Sequence, residues 1–239
     1  MSDLHLNITA EPVHKWQKSL TLWGEWVAAN ALAELIGLGT SALLWIAFFL
    51  HLEESWGILI GAIVVVVGST LLEGSAVGIL QGLVLRKLLP RVQLGQWWGA
   101  TALGALIAWT LGMIPSTMMA MSEGMAGEMA TATPPPEMND MVMYLLAAAM
   151  GLVLGPILAL PQWWLLRRHM ERAWLWIPAN ALAWAAGMAI IFVVVGAVPE
   201  GTISPLTIGL LLGGLMTAGA VVGAIHGVVL ISLAHHPTL

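Results

Sequence analysis

The chain of 239 residues has no cysteine, one tyrosine and three phenylalanines, and only 9% of its residues are charged. Without cysteine there is neither a disulfide scaffold nor a thiolate metal site. So little charge, with a net charge of −5, excludes a disordered chain and a nucleic-acid-binding surface. Charge is also missing in blocks: Val92 to Ser122, Met141 to Leu166, Ala173 to Pro199, and Gly201 to the end hold no Asp, Glu, Lys or Arg. Each block exceeds the roughly 20 apolar residues that cross a bilayer as a helix. The runs show no polar alternation, which argues against a closed β-barrel. Absent too are a Gly-x-Ser-x-Gly nucleophile turn, a Gly-x-x-x-x-Gly-Lys phosphate loop and a His-Glu-x-x-His zinc helix, so no enzymatic constellation is expected.

What is present is apolar. Hydrophobic residues make up 59% before the 26 glycines are counted, against about 45–50% with glycine included in soluble domains. Apolar runs and their punctuation predict six membrane-spanning helices at about 20–50, 56–86, 96–121, 141–166, 173–198 and 205–234. The expected organisation is a polar N-terminal tail over 1–19 and one transmembrane domain over 20–239, with an outer methionine-rich loop over about 118–143. The opening Met-Ser-Asp-Leu-His-Leu-Asn segment lacks the basic-then-apolar layout of a signal peptide, so the first span is expected to be retained.

Basic residues set the orientation, because Lys and Arg near span ends stay in the cytoplasm. Lys15 and Lys18 precede the first span, Arg86, Lys87 and Arg91 follow the second, and Arg167, Arg168 and Arg172 follow the fourth. All eight therefore share one side. The opposite loops carry Glu53, Glu54, Glu123, Glu128, Glu137, Asp140 and Glu200. Both termini are expected in the cytoplasm of a bacterium, with the chain in its inner membrane. Trp16, Trp23, Trp26, Trp97, Trp98, Trp163, Trp164, Trp174 and Trp176 lie near the basic side, where they read as an anchoring belt.

The segment Trp26-Val-Ala-Ala-Asn-Ala-Leu-Ala33 recurs as Trp176-Ile-Pro-Ala-Asn-Ala-Leu-Ala183 with six of eight residues identical, and more weakly as Trp97-Trp-Gly-Ala-Thr-Ala-Leu-Gly104. The even spans repeat as well: Gly74, Gly78, Gln81 and Arg86 correspond to Gly155, Ala159, Gln162 and Arg167, then to Gly219, Gly223, His226 and Ile231. The fold expected is thus an all-α membrane bundle of three repeated antiparallel helix pairs. Small residues four apart, such as Ala29-Ala33-Gly37 and Gly74-Gly78-Gly82, give every span a stripe for close packing in lipid. Pro156, Pro161 and Pro178 are expected to bend their helices or free carbonyls.

These pairs resemble a group of uncharacterised bacterial polytopic membrane proteins that repeat a Trp…Ala-Leu-Gly helix and a Gly-x-x-x-Gly-x-x-Gln-x-Leu-Val-Leu-Arg-Arg helix. Gly78-Ile-Leu-Gln-Gly-Leu-Val-Leu-Arg-Lys87 carries the likeness, and Pro161-Gln-Trp-Trp-Leu-Leu-Arg-Arg168 is a second copy. The third repeat departs from it, with His226 for glutamine and Ile231 for arginine. The resemblance implies no activity. In architecture alone the chain is also similar to mitochondrial carriers, whose Pro-x-Asp/Glu-x-x-Lys/Arg signature it lacks.

Polar side chains inside the spans are the candidate site. Asn30, Thr101 and Asn180 lie four residues beyond the repeated tryptophans, and Gln81, Gln162 and His226 occupy matching positions on even spans. Interhelical hydrogen bonds, about 0.6 kcal/mol each, are the simplest expectation. A polar vestibule open to the cytoplasm, or a porphyrin-type ligand on His226, is the sharper one. Glu34 and Glu73 occur in the first repeat only, and an intramembrane carboxylate is costly enough to suggest a task. As a pair they would repel when both are ionised, which suits a proton or cation site; alternatively, they are protonated and bonded to helix backbones or to Asn30 and Gln81.

Nine methionines fall among the 31 residues from Met113 to Met143. Of these, Met118, Met119, Met121, Met125, Met129, Met138, Met141 and Met143 form a candidate extracytoplasmic Cu(I) set, since thioethers are soft ligands. No cofactor follows from the sequence. Abundant packing motifs and few reactive groups point first to a non-enzymatic accessory or assembly subunit. Its partners would be the lipid bilayer and other membrane-protein subunits, with no nucleic acid. A small-solute or proton/cation-coupled transporter using Glu34 and Glu73 is the alternative, and copper handling a third.

Overall fold

A computed structural model describes residues 10–44, 55–126, 139–198 and 204–234. Six helices carry the fold: α1 (Ala10–Leu44), α2 (Ser55–Leu88), α3 (Leu94–Ala126), α4 (Asp140–Leu166), α5 (Trp176–Gly196) and α6 (Pro205–Ala234), with one 3₁₀ turn at Ala173–Leu175 before α5. All six are long and apolar enough to cross a membrane. The chain is therefore a multi-pass integral membrane protein.

Two boundaries differ from the sequence expectation. Helix α1 starts at Ala10, so residues 10–19 are helical and not an open tail; residues 1–9 lie outside the described residues. Polarity ends an apolar span without ending a helix, because lysine and glutamine are good helix formers. Helix α3 runs on through Pro115 to Ala126, so Met118, Met119, Met121 and Met125 are helical, not part of a loop beginning at 118. Helix α4 opens as expected: the Asn139 side chain accepts from the Met141 N–H at 2.8 Å, and Asp140 occupies the favourable first turn. It continues through Pro156 and Pro161. Pro178 falls in the first turn of α5, where a missing N–H leaves no intrahelical bond unmade.

Successive helices pack side by side, and α6 returns to pack on α1, so the six close into a ring. Paired approaches run in opposite chain directions along each seam: Gly37 and Gly68 meet Glu73 and Leu44, Gly74 and Gly78 meet Ala102 and Trp98, Gly104 meets Leu158 while Gln162 bonds Thr101, Gly151 and Gly155 meet Trp184 and Asn180, Gly187 and Gly214 meet Val222 and Val194, and Gly219 and Gly227 meet Asn30 and Trp26. In consequence the described cations, Lys18, Arg86, Lys87, Arg91, Arg167, Arg168 and Arg172, lie at one end of the bundle.

Glycine stripes of the even helices set the tightest seams. A Cβ on Gly151 or Gly155 would strike the backbone carbonyls of Trp184 or Asn180, and one on Gly219 would lie 2.6 Å from the Asn30 carbonyl oxygen. These stripes join each even helix to the odd helix that follows it around the ring: α2 to α3, α4 to α5, and α6 to α1. The closest packing therefore links one sequence repeat to the next. Dispersion at such seams, where backbones nearly touch, replaces a hydrophobic driving force that lipid cannot supply.

Trp26, Trp97 and Trp176 are not part of an interfacial belt. Their side chains are wholly buried and form a triangle on the bundle axis, with ring centroids 6.5, 6.2 and 6.2 Å apart in edge-to-face contacts. Trp16, Trp98, Trp164 and Trp174 do face outward. Position along a helix gives depth in the membrane, whereas packing decides which face a residue takes. Toward the basic end the triangle continues into an apolar cluster that includes Leu85, Val92, Leu166, Met170 and Leu230.

Candidate functional site

On α1, α3 and α5 the residues four and eight positions after the central tryptophan share its helix face. They are Asn30 and Glu34, Thr101 and Ala105, and Asn180 and Trp184. On α2, α4 and α6 the corresponding pairs are Val77 and Gln81, Leu158 and Gln162, and Val222 and His226. All twelve line a single internal cavity, together with Glu73 and Gly74. Every one of the eight polar residues singled out in the sequence therefore belongs to one place.

The cavity offers about 30 Å³ to water-sized occupants, enough for about one or two waters or a small cation. Drug-sized ligands and cofactors need about 300–1,000 Å³. The six residues named for a polar vestibule do line this space, which is smaller than a drug-sized solute or a porphyrin occupies. The vestibule is also closed toward the basic end, because the tryptophan triangle and its apolar cluster lie across it. His226 lies against Trp26 edge-on and against Trp176 at a tilt, at 5.7 and 5.0 Å between ring centroids, and its Nδ1 accepts from Trp26 Nε1 at 3.0 Å. Its neutral ring thereby carries its proton on Nε2.

Hydrogen bonds knit the amide layer, three within helices and three between them. Asn30 Nδ2, Thr101 Oγ1 and Asn180 Nδ2 each donate to the carbonyl of the tryptophan one turn back, at 2.7, 2.9 and 2.9 Å. Gln81 Nε2 donates to Asn30 Oδ1 at 2.8 Å, Gln162 Nε2 donates to Thr101 Oγ1 at 3.0 Å, and Trp176 Nε1 donates to Gln162 Oε1 at 2.9 Å. One bond of this pattern is unmade: Trp97 Nε1 and Gln81 Oε1 are buried without partners.

The carboxylates behave differently. Glu34 is 1% exposed, and neither of its side-chain oxygens has a hydrogen-bond partner. Glu73 is buried too, but its Oε2 accepts from Trp109 Nε1 at 2.7 Å, which ties α2 to α3. Neither has the bond to a backbone, to Asn30 or to Gln81 that the second sequence reading of the pair requires. Glu34 and Glu73 line the same cavity from adjacent helices. Three buried acceptor atoms at this cavity, Glu34 Oε1, Glu34 Oε2 and Gln81 Oε1, lack a donor, against one unpartnered donor, Trp97 Nε1. Such an excess of acceptors is matched by a proton, a water or a cation.

Comparison with known proteins finds no matching family model, no similar curated protein and no similar solved structure. The site must speak for itself.

Two tryptophans at the site escaped the sequence reading, Trp184 in the cavity lining and Trp109 behind Glu73. Trp184 stands at the same offset from Trp176 as Glu34 does from Trp26, so the repeat marked it. Trp109 sits deep in a span, far from the basic-end tryptophans, and a buried indole N–H requires an acceptor. The methionines do not converge with this site. Met113 is buried with Ile58, Ala62 and Val65, and Met121 packs on that cluster. Met118, Met119 and Met141 are exposed and Met143 is half-buried. Met129 and Met138 lie outside the described residues.

Proposed function

We propose that this is a proton- or small-cation-binding transporter of a bacterial inner membrane, in which Glu34 holds the exchanged ion and Glu73 is its anchored partner. One observation carries the reading: a fully buried carboxylate with both oxygens unpartnered lines, together with a second carboxylate, a cavity sized for water or an ion. A charged group held without partners in an apolar interior is strongly unfavourable, so a positive partner that comes and goes is the natural complement. The basic end is the cytoplasmic one in this reading, and both termini lie there. Three repeated helix pairs build the bundle, which the matching positions of the cavity lining support. The likeness to repeated bacterial polytopic proteins is part of the same proposal.

In vesicles loaded with a pH-sensitive dye, the wild-type chain is expected to couple a pH or Na⁺ gradient to a dye signal. Replacing Glu34 and Glu73 together with glutamine should abolish the coupling while the protein still assembles. A double variant as active as wild type contradicts the reading.

An accessory-subunit role has its own supporting observation, the apolar seal across the basic end. Under that reading, native mass spectrometry on gently extracted protein finds stoichiometric partner chains, and glutamine at both positions leaves the assembly intact.

A further inference from the structure

Glu34 and Glu73 are not the last polar groups on their seam. Ser41 follows Glu34 by seven residues and Ser69 precedes Glu73 by four, so each continues the cavity-lining face of its helix away from the basic end. Their register is set from both sides: a Cβ on Gly37 would lie 2.8 Å from Glu73 Cα, and one on Gly68 would lie 2.6 Å from Leu44 Cδ1. Ser41 falls between Gly37 and Leu44, and Ser69 between Gly68 and Glu73, which brings both to the same level of the α1–α2 seam. Ser41 is 1% exposed and Ser69 0%.

Neither serine hydroxyl has a hydrogen-bond partner. In a membrane helix, hydroxyls commonly donate to the carbonyl one turn back. Thr40, Thr70, Thr110 and Thr217 do so here, donating to Ile36, Val66, Leu106 and Gly213 at 2.7 Å each. Thr40 is the immediate neighbour of Ser41, and Thr70 of Ser69. The two serines therefore hold free hydroxyls beside threonines that do not; Ser41 does so two turns from the unpartnered Glu34, and Ser69 one turn from Glu73, which Trp109 holds.

We infer that Ser41 and Ser69 form the entry step through which a proton or small cation reaches Glu34 and Glu73 from the acidic end of the bundle. The inference rests on the reading of those carboxylates as an ion site. A hydroxyl both donates and accepts. It lends an oxygen to a passing cation, or takes a proton on its lone pair while releasing its own to the next acceptor, with no net change in the serine. The opposite approach is closed by the tryptophan triangle.

The test uses the full chain in phosphatidylethanolamine and phosphatidylglycerol vesicles, with an internal pH dye and an imposed pH or Na⁺ step. The Ser41→Ala/Ser69→Ala variant is expected to pass the ion about tenfold more slowly, the effect of roughly one hydrogen bond lost from a barrier. Glu34 in that variant should still react with a lipid-soluble carbodiimide to the wild-type extent, which shows the site is folded. A double-serine variant as fast as wild type, beside an inactive Glu34→Gln, overturns the route and leaves the ion site standing. A Glu34→Gln variant as fast as wild type, or a wild-type chain that moves neither ion, overturns both. Should the double variant fail to assemble, Ser69→Ala alone carries the test, and a rate equal to wild type overturns the route.

Discussion

Replacing Gly155 with isoleucine is expected to abolish the folded bundle, with a loss of more than about 4 kcal/mol. A Cβ there would meet the Asn180 carbonyl, and its further carbons would push into α5 backbone, which has no rotamer to yield. Overpacking a core commonly costs about 1–3 kcal/mol when side chains can shift. Backbone against backbone leaves only separation of α4 from α5, and with it loss of the Gln162 to Trp176 bond. Gly112 gives the control, since nothing lies within 4 Å of a Cβ there. Alanine at Gly112 should be neutral or stabilising by up to about 1 kcal/mol, because glycine is the poorer helix former. Thermal unfolding and size-exclusion profiles in mild detergent read both. An intact, monodisperse Gly155→Ile protein contradicts the close α4–α5 seam.

The second large effect falls on the tryptophan triangle. Trp26→Ala removes an indole that touches Trp97, Trp176 and His226, leaving a void on the bundle axis and an unpaired His226 Nδ1. A loss of about 3–5 kcal/mol is expected from the cavity alone. Trp26→Phe keeps most of the ring contact and forfeits the N–H, so it should cost about 1–3 kcal/mol. The difference between them, measured by thermal unfolding in the same detergent, isolates packing from hydrogen bonding. Equal losses would mean that the triangle contributes through its polar bond and not as a plug. As the seal across the basic end, the alanine variant should also leak ions in vesicles where the phenylalanine variant does not.

Much of this architecture was legible beforehand, for definite reasons. Long charge-free runs have one solution in lipid, a helix that satisfies its own backbone, so four spans follow directly from Val92 to Ser122 and its counterparts, and the first two from apolar runs that admit Glu25, Glu34 and Glu73. The repeat then did what a lone polar residue could not. Asn30, Thr101 and Asn180 were tied together by their offset from a tryptophan, and Gln81, Gln162 and His226 by matching positions on even spans. Equal offsets on antiparallel helices of equal tilt put groups at equal depth, and all six reach one cavity.

What stayed hidden depended on direction and not on depth. Trp26 and Trp164 both lie toward the basic end, yet one is wholly buried and the other half exposed. No spacing rule separates them until the neighbouring helix is placed. Closure of α6 onto α1 is equally invisible, because the glycines at 219, 223 and 227 do not say which backbone they approach. The partners of the carboxylates were misjudged for the same reason: Trp109 reaches Glu73 from a different helix, and nothing local announces it. Ser41 and Ser69 carry no signal in the sequence, since only their placement leaves the hydroxyls without the usual backbone acceptor.

The central claim is that Glu34 is an ion site and not a buried structural carboxyl. Its most direct test is labelling of the purified protein with dicyclohexylcarbodiimide, a reagent that reacts with protonated carboxyl groups in apolar surroundings, followed by peptide mass spectrometry. A single dominant adduct on Glu34 is expected, absent in Glu34→Gln, and slowed either by raising the pH alone, for a proton site, or by adding Na⁺ at fixed pH, for a cation site. An adduct that answers to neither, or no adduct at Glu34, would contradict the account.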